Sequence, residues 1–448
     1  MDLLKANIRK LYYSYLLSAF GSAVIACVYS FVDAAVIGKY LGPDGASALA
    51  VVAPFWNIIY SLGLLLGVGG GVIMSKLKGE SLDNKEQENE YFTVSIIYSI
   101  FLSILMYIMI FCFDKQILFF FGAKDEKIMQ LALEYLKPIK FVFPLFLYNQ
   151  MLGSFLRNDN NPLLATIAVL AGGVFNIVGD VIFTFTCNMG IFGSALATTI
   201  GACITFIIML IHFFTKKNTM KFTIVKSFFK KIWDISKVGF SSFFVDLAMG
   251  ILTILFNNQI MRYLNDAALS VYAILINITT FVQCCAYAVG QASQPIISTN
   301  YGAKDSKRIK ETLKYCLYSL SFVSFIFLIL TQSYPNMFTY MFMTPTDEVL
   351  QIAPKIIRIY SISFILLPIN IFASYYFQSI LKNKIAFFIS TFRGLILSAI
   401  LIMTLPLINS KLLWYAMPIT EIITTIISIY FIIYYTKKIN INEDNTDK

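Results

Sequence analysis

Charge is scarce in this chain. Asp, Glu, Lys and Arg make up 13% of its 448 residues while apolar residues supply 58%, and a soluble domain carries roughly twice that share of charge. Mean hydropathy is +0.73. Such a composition excludes a string of soluble domains and leaves bilayer geometry to set the architecture. The cysteines (Cys27, Cys112, Cys187, Cys203, Cys284, Cys285, Cys316) are odd in number and include no CxxC pair. They therefore indicate neither a disulfide framework nor a zinc site. No cleavable signal peptide is visible, because Lys5, Arg9 and Lys10 lead into a full-length apolar run without a small-residue cleavage site, so the first helix is expected to stay in the protein. Histidine occurs once, as His212 near the end of an apolar run, where an interfacial position is favoured over a relay role. The stretch Gly67-Val68-Gly69-Gly70-Gly71 lacks GxGxxG spacing and follows a helix rather than a strand, so close helix packing or a bend explains it better than phosphate binding.

Twelve apolar runs are present, each near or above the roughly 20 residues that cross a bilayer. They cover about 12–38, 46–75, 91–113, 131–155, 163–186, 190–214, 237–262, 267–299, 312–332, 350–380, 384–407 and 412–435. The fold expected is an all-α integral membrane protein. With an even number of spans both termini share one side, and that side collects 24 of the 35 Lys and Arg against ten opposite. The positive-inside rule then places the termini in the cytoplasm. The basic residues lie in these loops, which is explained by insertion topology and not by nucleic-acid binding. The longest basic connection divides the chain into an N-terminal six-helix lobe (1–214), a cytoplasmic linker (215–236), a C-terminal six-helix lobe (237–436) and a tail (437–448). The linker reads as a topology anchor, with an amphipathic stretch that could lie on headgroups.

The halves repeat. A shift of 223 residues lays Lys39-Tyr40-Leu41 on Arg262-Tyr263-Leu264, Ser47 on Ser270, Gly67 on Gly290 and Ser75 on Ser298. Nearly the same shift relates Leu156-Arg157-Asn158 to Leu381-Lys382-Asn383 and Lys216-Lys217 to Lys437-Lys438. Six spans per half give both the same orientation, so a pseudo-two-fold axis along the membrane normal is expected. Two such lobes around a cleft suit alternating access.

A few polar groups sit where they are costly. Asp33 lies in the first run, and a charge at membrane depth costs roughly 2.5–3.5 kcal/mol on the lenient insertion scale. It is tolerated when it faces a water-filled cavity and binds something; the alternative is snorkelling to the outer interface. In the fifth run, LAGGVFNIVGDVIFTF, Asn176 and Asp180 are four residues apart and share a face. Two acids brought close cannot both ionise cheaply, so one would hold a proton. The same oxygens could ligate Na⁺. Thr198 and Thr199 lie among small residues of the sixth run, a weak signal alone. In the second half Asp246, Arg393 and Glu421 offer either a further cation or proton site or a charge pair neutralising Arg393. Tyr29, four residues before Asp33, and Phe31, Trp56 and Tyr60 are aromatic candidates for a cleft that takes flat organic cations.

The stretches VDAAVIGKYLG (32–42), FLRNDNNP (155–162), FNIVGDVIF (175–183), GIFGSALATT (190–199), AVGQASQPIISTNYGAK (288–304) and LLWYAMPITE (412–421) closely resemble the multidrug and toxic compound extrusion (MATE) family, and its MepA-like and DinF-like bacterial members. The resemblance spans nearly the whole chain. It implies two pseudo-symmetric six-helix bundles in a V shape and export of drugs and organic cations in exchange for H⁺ or Na⁺. It also implies a cation site at Asp33, Asn176, Asp180 and Thr198, with Na⁺ possible at the first three. The NorM-like branch uses acids on helices seven and ten. Here Asp246 stands about a turn away from that position and the interior of helix ten has no acid, so a second site of that type is not expected.

Two other classes compete. A lipid-linked oligosaccharide flippase of the wider superfamily would be expected to carry more spans or a strongly basic central cavity for a diphosphate, and Arg393 is the one basic residue placed mid-span. An intramembrane aspartyl protease using Asp33 and Asp180 would show a GxGD context, which is missing, and would leave the repeat unexplained. The expectation is a monomeric multidrug antiporter, not an enzyme, with no cofactor and no metal beyond the coupling ion, and with drugs and the bilayer as partners.

Overall fold

The structure, a computed structural model, describes residues 2–80, 84–343 and 345–444, so the last four residues of the expected tail lie outside it. Among these residues twelve helices are long and apolar enough to cross a membrane. They are α1 (Ile8–Leu41), α2 (Asp44–Glu80), α3 (Lys85–Cys112), α4 (Glu126–Asn158), α5 (Pro162–Thr186), α6 (Gly190–Phe214), α7 (Phe228–Tyr263), α8 (Asp266–Gly302), α9 (Ser306–Ser333), α10 (Asp347–Ser379), α11 (Asn383–Ile408) and α12 (Ser410–Ile439). The shortest have 25 residues, about 37 Å of helix, enough for the roughly 30 Å hydrocarbon core. No strand occurs among the described residues. The all-α, twelve-span architecture read from hydropathy is the one observed. Several helices run past their apolar stretch, because backbone groups satisfied within a helix need not stop at the membrane boundary; α7 starts at Phe228, nine residues before its apolar run.

The chain forms two compact units. The first consists chiefly of Leu17–Phe243, the second of Leu3–Leu16 together with Phe244–Lys448. In the first, the glycine stretch on α2 lets neighbouring helices approach closely. A Cβ at Gly67 would stand 2.8 Å from Ser154 Cβ on α4, and one at Gly69 would stand 2.3 Å from Ile235 O on α7. Close packing is thus what this stretch does. A second seam of small residues joins α5 to α6: a Cβ at Gly172 would lie 2.5 Å from Gly201 O, and one at Gly201 would lie 2.7 Å from Gly172 O. Without hydrophobic drive between helices in lipid, such contacts set which faces meet.

In the second unit, Arg308 holds the N-terminus by donating from Nη2 to Leu3 O at 3.0 Å, with Tyr12 stacked on Tyr315 at 6.1 Å between ring centroids. The fifth span of each half widens into a π-turn, at Ile182–Thr186 in α5 and Phe392–Leu397 in α11. Such insertions recur at functional sites. Asp180 sits just before one and Arg393 inside the other.

Candidate cation site of the first lobe

The small-residue seam between α5 and α6 leaves room for their polar side chains to face each other. Asn176 Nδ2 donates to Thr198 Oγ1 at 2.9 Å. One turn further along α5 and one turn back along α6, Ser194 Oγ donates to Asp180 Oδ1 at 3.1 Å. The same hydroxyl also bonds Asp33 Oδ1 on α1, whose Oδ2 accepts from Tyr135 OH on α4 at 3.1 Å. The structure therefore brings together the four residues singled out in sequence and adds two more, Ser194 and Tyr135.

Burial is deep. Asp180 is fully buried and Asn176 nearly so, while Asp33 is half-buried. Two acceptors have no partner among the described residues, Asp180 Oδ2 and Asn176 Oδ1. A buried acceptor left unpaired costs roughly 1–3 kcal/mol, more when charged. The hydrogen count adds to this. Ser194 has one hydroxyl hydrogen and stands within bonding distance of two carboxylates, so it satisfies one of them as donor. Adding a proton to either acid completes a chain from carboxyl to hydroxyl to carboxylate. A desolvated Na⁺ would instead be met by the carboxylate and amide oxygens. The donor set is all oxygen, as a hard cation requires, and the cluster holds no His or Cys.

Ser194 has a readable signal. It stands four residues before Thr198, as Asn176 stands four before Asp180, so the two i,i+4 pairs belong to facing helices. Tyr135 is one of 26 tyrosines and nothing in its local sequence marks it.

Among the aromatic candidates, Tyr29 lies against α5, where a Cβ at Gly173 would come within 3.3 Å of its ring. Trp56 packs edge-on to Phe146 with centroids 4.6 Å apart. Phe31 and Tyr60 are exposed.

In the second lobe the structure joins Arg393 to Glu421. Nε donates to both carboxylate oxygens at 2.9 and 3.0 Å, Nη2 reaches Oε1 at 2.8 Å, and Asn370 Nδ2 completes the shell at 2.7 Å from Oε2. Of the two readings of these residues, the charge pair is the one observed for Arg393 and Glu421. Asp246 lies on α7, with its side chain outside the described residues.

A further cluster, around His212 and Asp159, joins the ends of α4 and α6 in the first lobe. His212 is fully buried rather than set among headgroups. Its Nε2 meets Asp159 Oδ2 at 2.8 Å and its Nδ1 meets Asn161 Nδ2 at 3.0 Å. Burial pushes the Asp159 carboxyl up, but the hydrogen bond from His212 and the Lys78 charge outweigh it and hold the group below the ordinary carboxylate range. No group of three or more His, Cys, Asp or Glu that could hold a metal occurs among the described residues.

With this geometry in place, likeness to known proteins is informative. A family model described as MatE matches residues 19–182 and 240–404, one match in each half, as the internal repeat requires. The "Multidrug export protein MepA" of Staphylococcus saprophyticus is 26% identical over 300 residues, 66% of this chain and 65% of that protein. The chain thus spans just under two thirds of that relative. The protein of the same name from Staphylococcus aureus (strain MSSA476) is 24% identical over 380 residues, covering 84% of this chain and 83% of that one. A solved structure described as the outward-facing conformation of a multidrug resistance MATE family transporter aligns with a TM-score of 0.90 at 19% identity over 98% of both chains, which shows the fold. The MATE multidrug transporter DinF-BH, solved as a complex with a bound compound, aligns with a TM-score of 0.86 at 26% identity over 97% of this chain and 98% of that one. Matched by the family model over well more than half its length, the chain belongs to the MatE family.

Proposed function

We propose that the chain is a secondary active multidrug exporter of the bacterial plasma membrane. It exchanges organic, often cationic, compounds for H⁺ or Na⁺ by alternating access. The lobes 1–214 and 237–436, the linker 215–236 and the tail 437–448 are its working parts, with both termini cytoplasmic, and the unit is a monomer. The observation that carries the reading is the pair of buried, unpartnered acceptors beside two acids bridged by one hydroxyl. A group of this kind is stable when it holds a cation and strained when it does not, which is what coupling requires. Relatives named for multidrug export support the substrate class. The flippase alternative finds no support in Arg393, whose charge is matched by Glu421.

Efflux of a fluorescent organic cation from proteoliposomes, with a pH gradient and a Na⁺ gradient imposed in separate runs, tests the proposal. One of the two gradients must drive transport against the dye's own gradient. Equal dye fluxes with either gradient and with none would refute coupling.

A further inference from the structure

The connection between α6 and α7 is built into the first lobe. Asp159, 1% exposed, receives Lys78 Nζ, His212 Nε2, Thr219 Oγ1, and Thr219 N at 2.9 Å. Asn161 Oδ1 faces Lys217 Nζ at 3.3 Å, which turns its amide nitrogen to His212 and sets the ring to donate from Nε2. Further main-chain N–H groups are then tied to α3. Lys221 N donates to Asn89 Oδ1 at 2.8 Å, Thr223 N to Thr93 Oγ1 at 3.2 Å and Lys226 N to Glu90 Oε1 at 3.2 Å. Met220 is buried beneath the segment.

Held in this way, the connection turns large apolar side chains outward. Phe222 is 70% exposed and Ile224 87%, with Phe214, Phe229 and Trp233 exposed on either side. Lysines alternate with them. Lys216, Lys221 and Lys230 are exposed and form no ion pair among the described residues, whereas Lys231 is taken by Glu90 and Lys226 by Glu86. A topology anchor needs only the charge, in any conformation. Here a buried carboxylate network fixes the spacing between free lysines and aromatic side chains, which a specific ligand would require.

We propose that this surface binds acidic phospholipid headgroups. Lys216, Lys221 and Lys230 meet the phosphates, and Phe222, Ile224 and Trp233 enter the acyl boundary.

The test uses full-length protein in phosphatidylcholine vesicles carrying a fixed fraction of brominated phosphatidylglycerol or brominated phosphatidylcholine, with W233F as the blank. Trp233 fluorescence should be quenched more by the brominated acidic lipid, and 1 M salt should erase the difference. Each lysine near an anionic surface is worth about a fivefold preference, so K216Q/K221Q/K230Q should lower it by up to roughly a hundredfold. Equal quenching by both lipids in the unaltered protein at low salt would reduce the surface to a simple interfacial anchor and overturn the proposal. Displacement of the acidic-lipid effect by millimolar glycerol phosphate would do the same, since it would point to a soluble phosphate ligand. The unaltered protein decides the matter whether or not the variant folds.

Discussion

Glu421→Gln preserves the shape of a buried side chain and removes its charge. In the intact protein the guanidinium of Arg393 makes three contacts of 2.8–3.0 Å to the carboxylate, with both side chains at most 8% exposed. Losing one neutral hydrogen bond would cost about 1 kcal/mol. Leaving an unmatched guanidinium in a low-dielectric interior costs about 3–5 kcal/mol, so the charge term dominates. A cooperative unit of lobe size shifts its melting temperature by about 2–4 °C per kcal/mol, which gives a fall of about 6–20 °C. Removing both charges in R393M/E421L should be near neutral, because a buried pair replaced by apolar side chains leaves no uncompensated charge. Thermal unfolding of R393M, E421L and R393M/E421L in detergent, with E421Q measured beside them, forms a complete cycle. A loss below about 4 °C for E421Q, or a double variant as unstable as the two single losses added, would refute the argument that the pair is a matched structural unit.

Other consequences follow from the first lobe. Ser194→Ala leaves Asp180 with no hydrogen-bond donor and Asp33 with Tyr135 alone. Gradient-driven dye efflux should fall about tenfold or more, while Ser194→Thr, which keeps the hydroxyl, should retain most of it. Gly201→Leu forces a side chain into a seam where a Cβ already meets Gly172 O at 2.7 Å; it should part Asn176 from Thr198 and abolish efflux, with retained protein level in the membrane as the control. Asp159 is held below the ordinary carboxylate range, so its stabilising contribution is full above the unfolded pKa near 3.9 and is lost as pH falls through the folded value. Asp159→Asn should therefore lower the melting temperature at pH 7, and the gap to the unaltered protein should narrow as pH falls below about 4.

Most of the architecture is legible in the sequence because a bilayer imposes one stringent demand, a long apolar run with its backbone bonds satisfied internally. The acids are legible for a related reason: Asp33 and Asp180 stand out where charge is costly, and Asn176 is tied to Asp180 by helical spacing. Ser194 is marked only by its four-residue spacing from Thr198, a weak signal because a hydroxyl in a span most often bonds its own helix. Tyr135 is not marked at all; the meeting of α1, α4 and α6 is what selects these two. Arg393 admits two readings in sequence because pairing across helices depends on rotation about their axes, which one-dimensional periodicity does not supply. His212 misleads for a similar reason. Its position near a helix end suggests headgroups, but the connection folds back over it and Asp159 meets it from the end of α4. Ends of spans are governed by such tertiary contacts, not by hydropathy.

The claim at the centre is that the two acids bridged by Ser194 carry the ion that drives export. Efflux of a fluorescent organic cation should be measured in proteoliposomes for the unaltered protein, Asp33→Asn and Asp180→Asn, with the driving gradient imposed and then collapsed. The account predicts that both variants insert normally and lose transport against the dye's gradient, so that imposing the ion gradient no longer changes their flux. Uphill transport by either variant at the rate of the unaltered protein would contradict it.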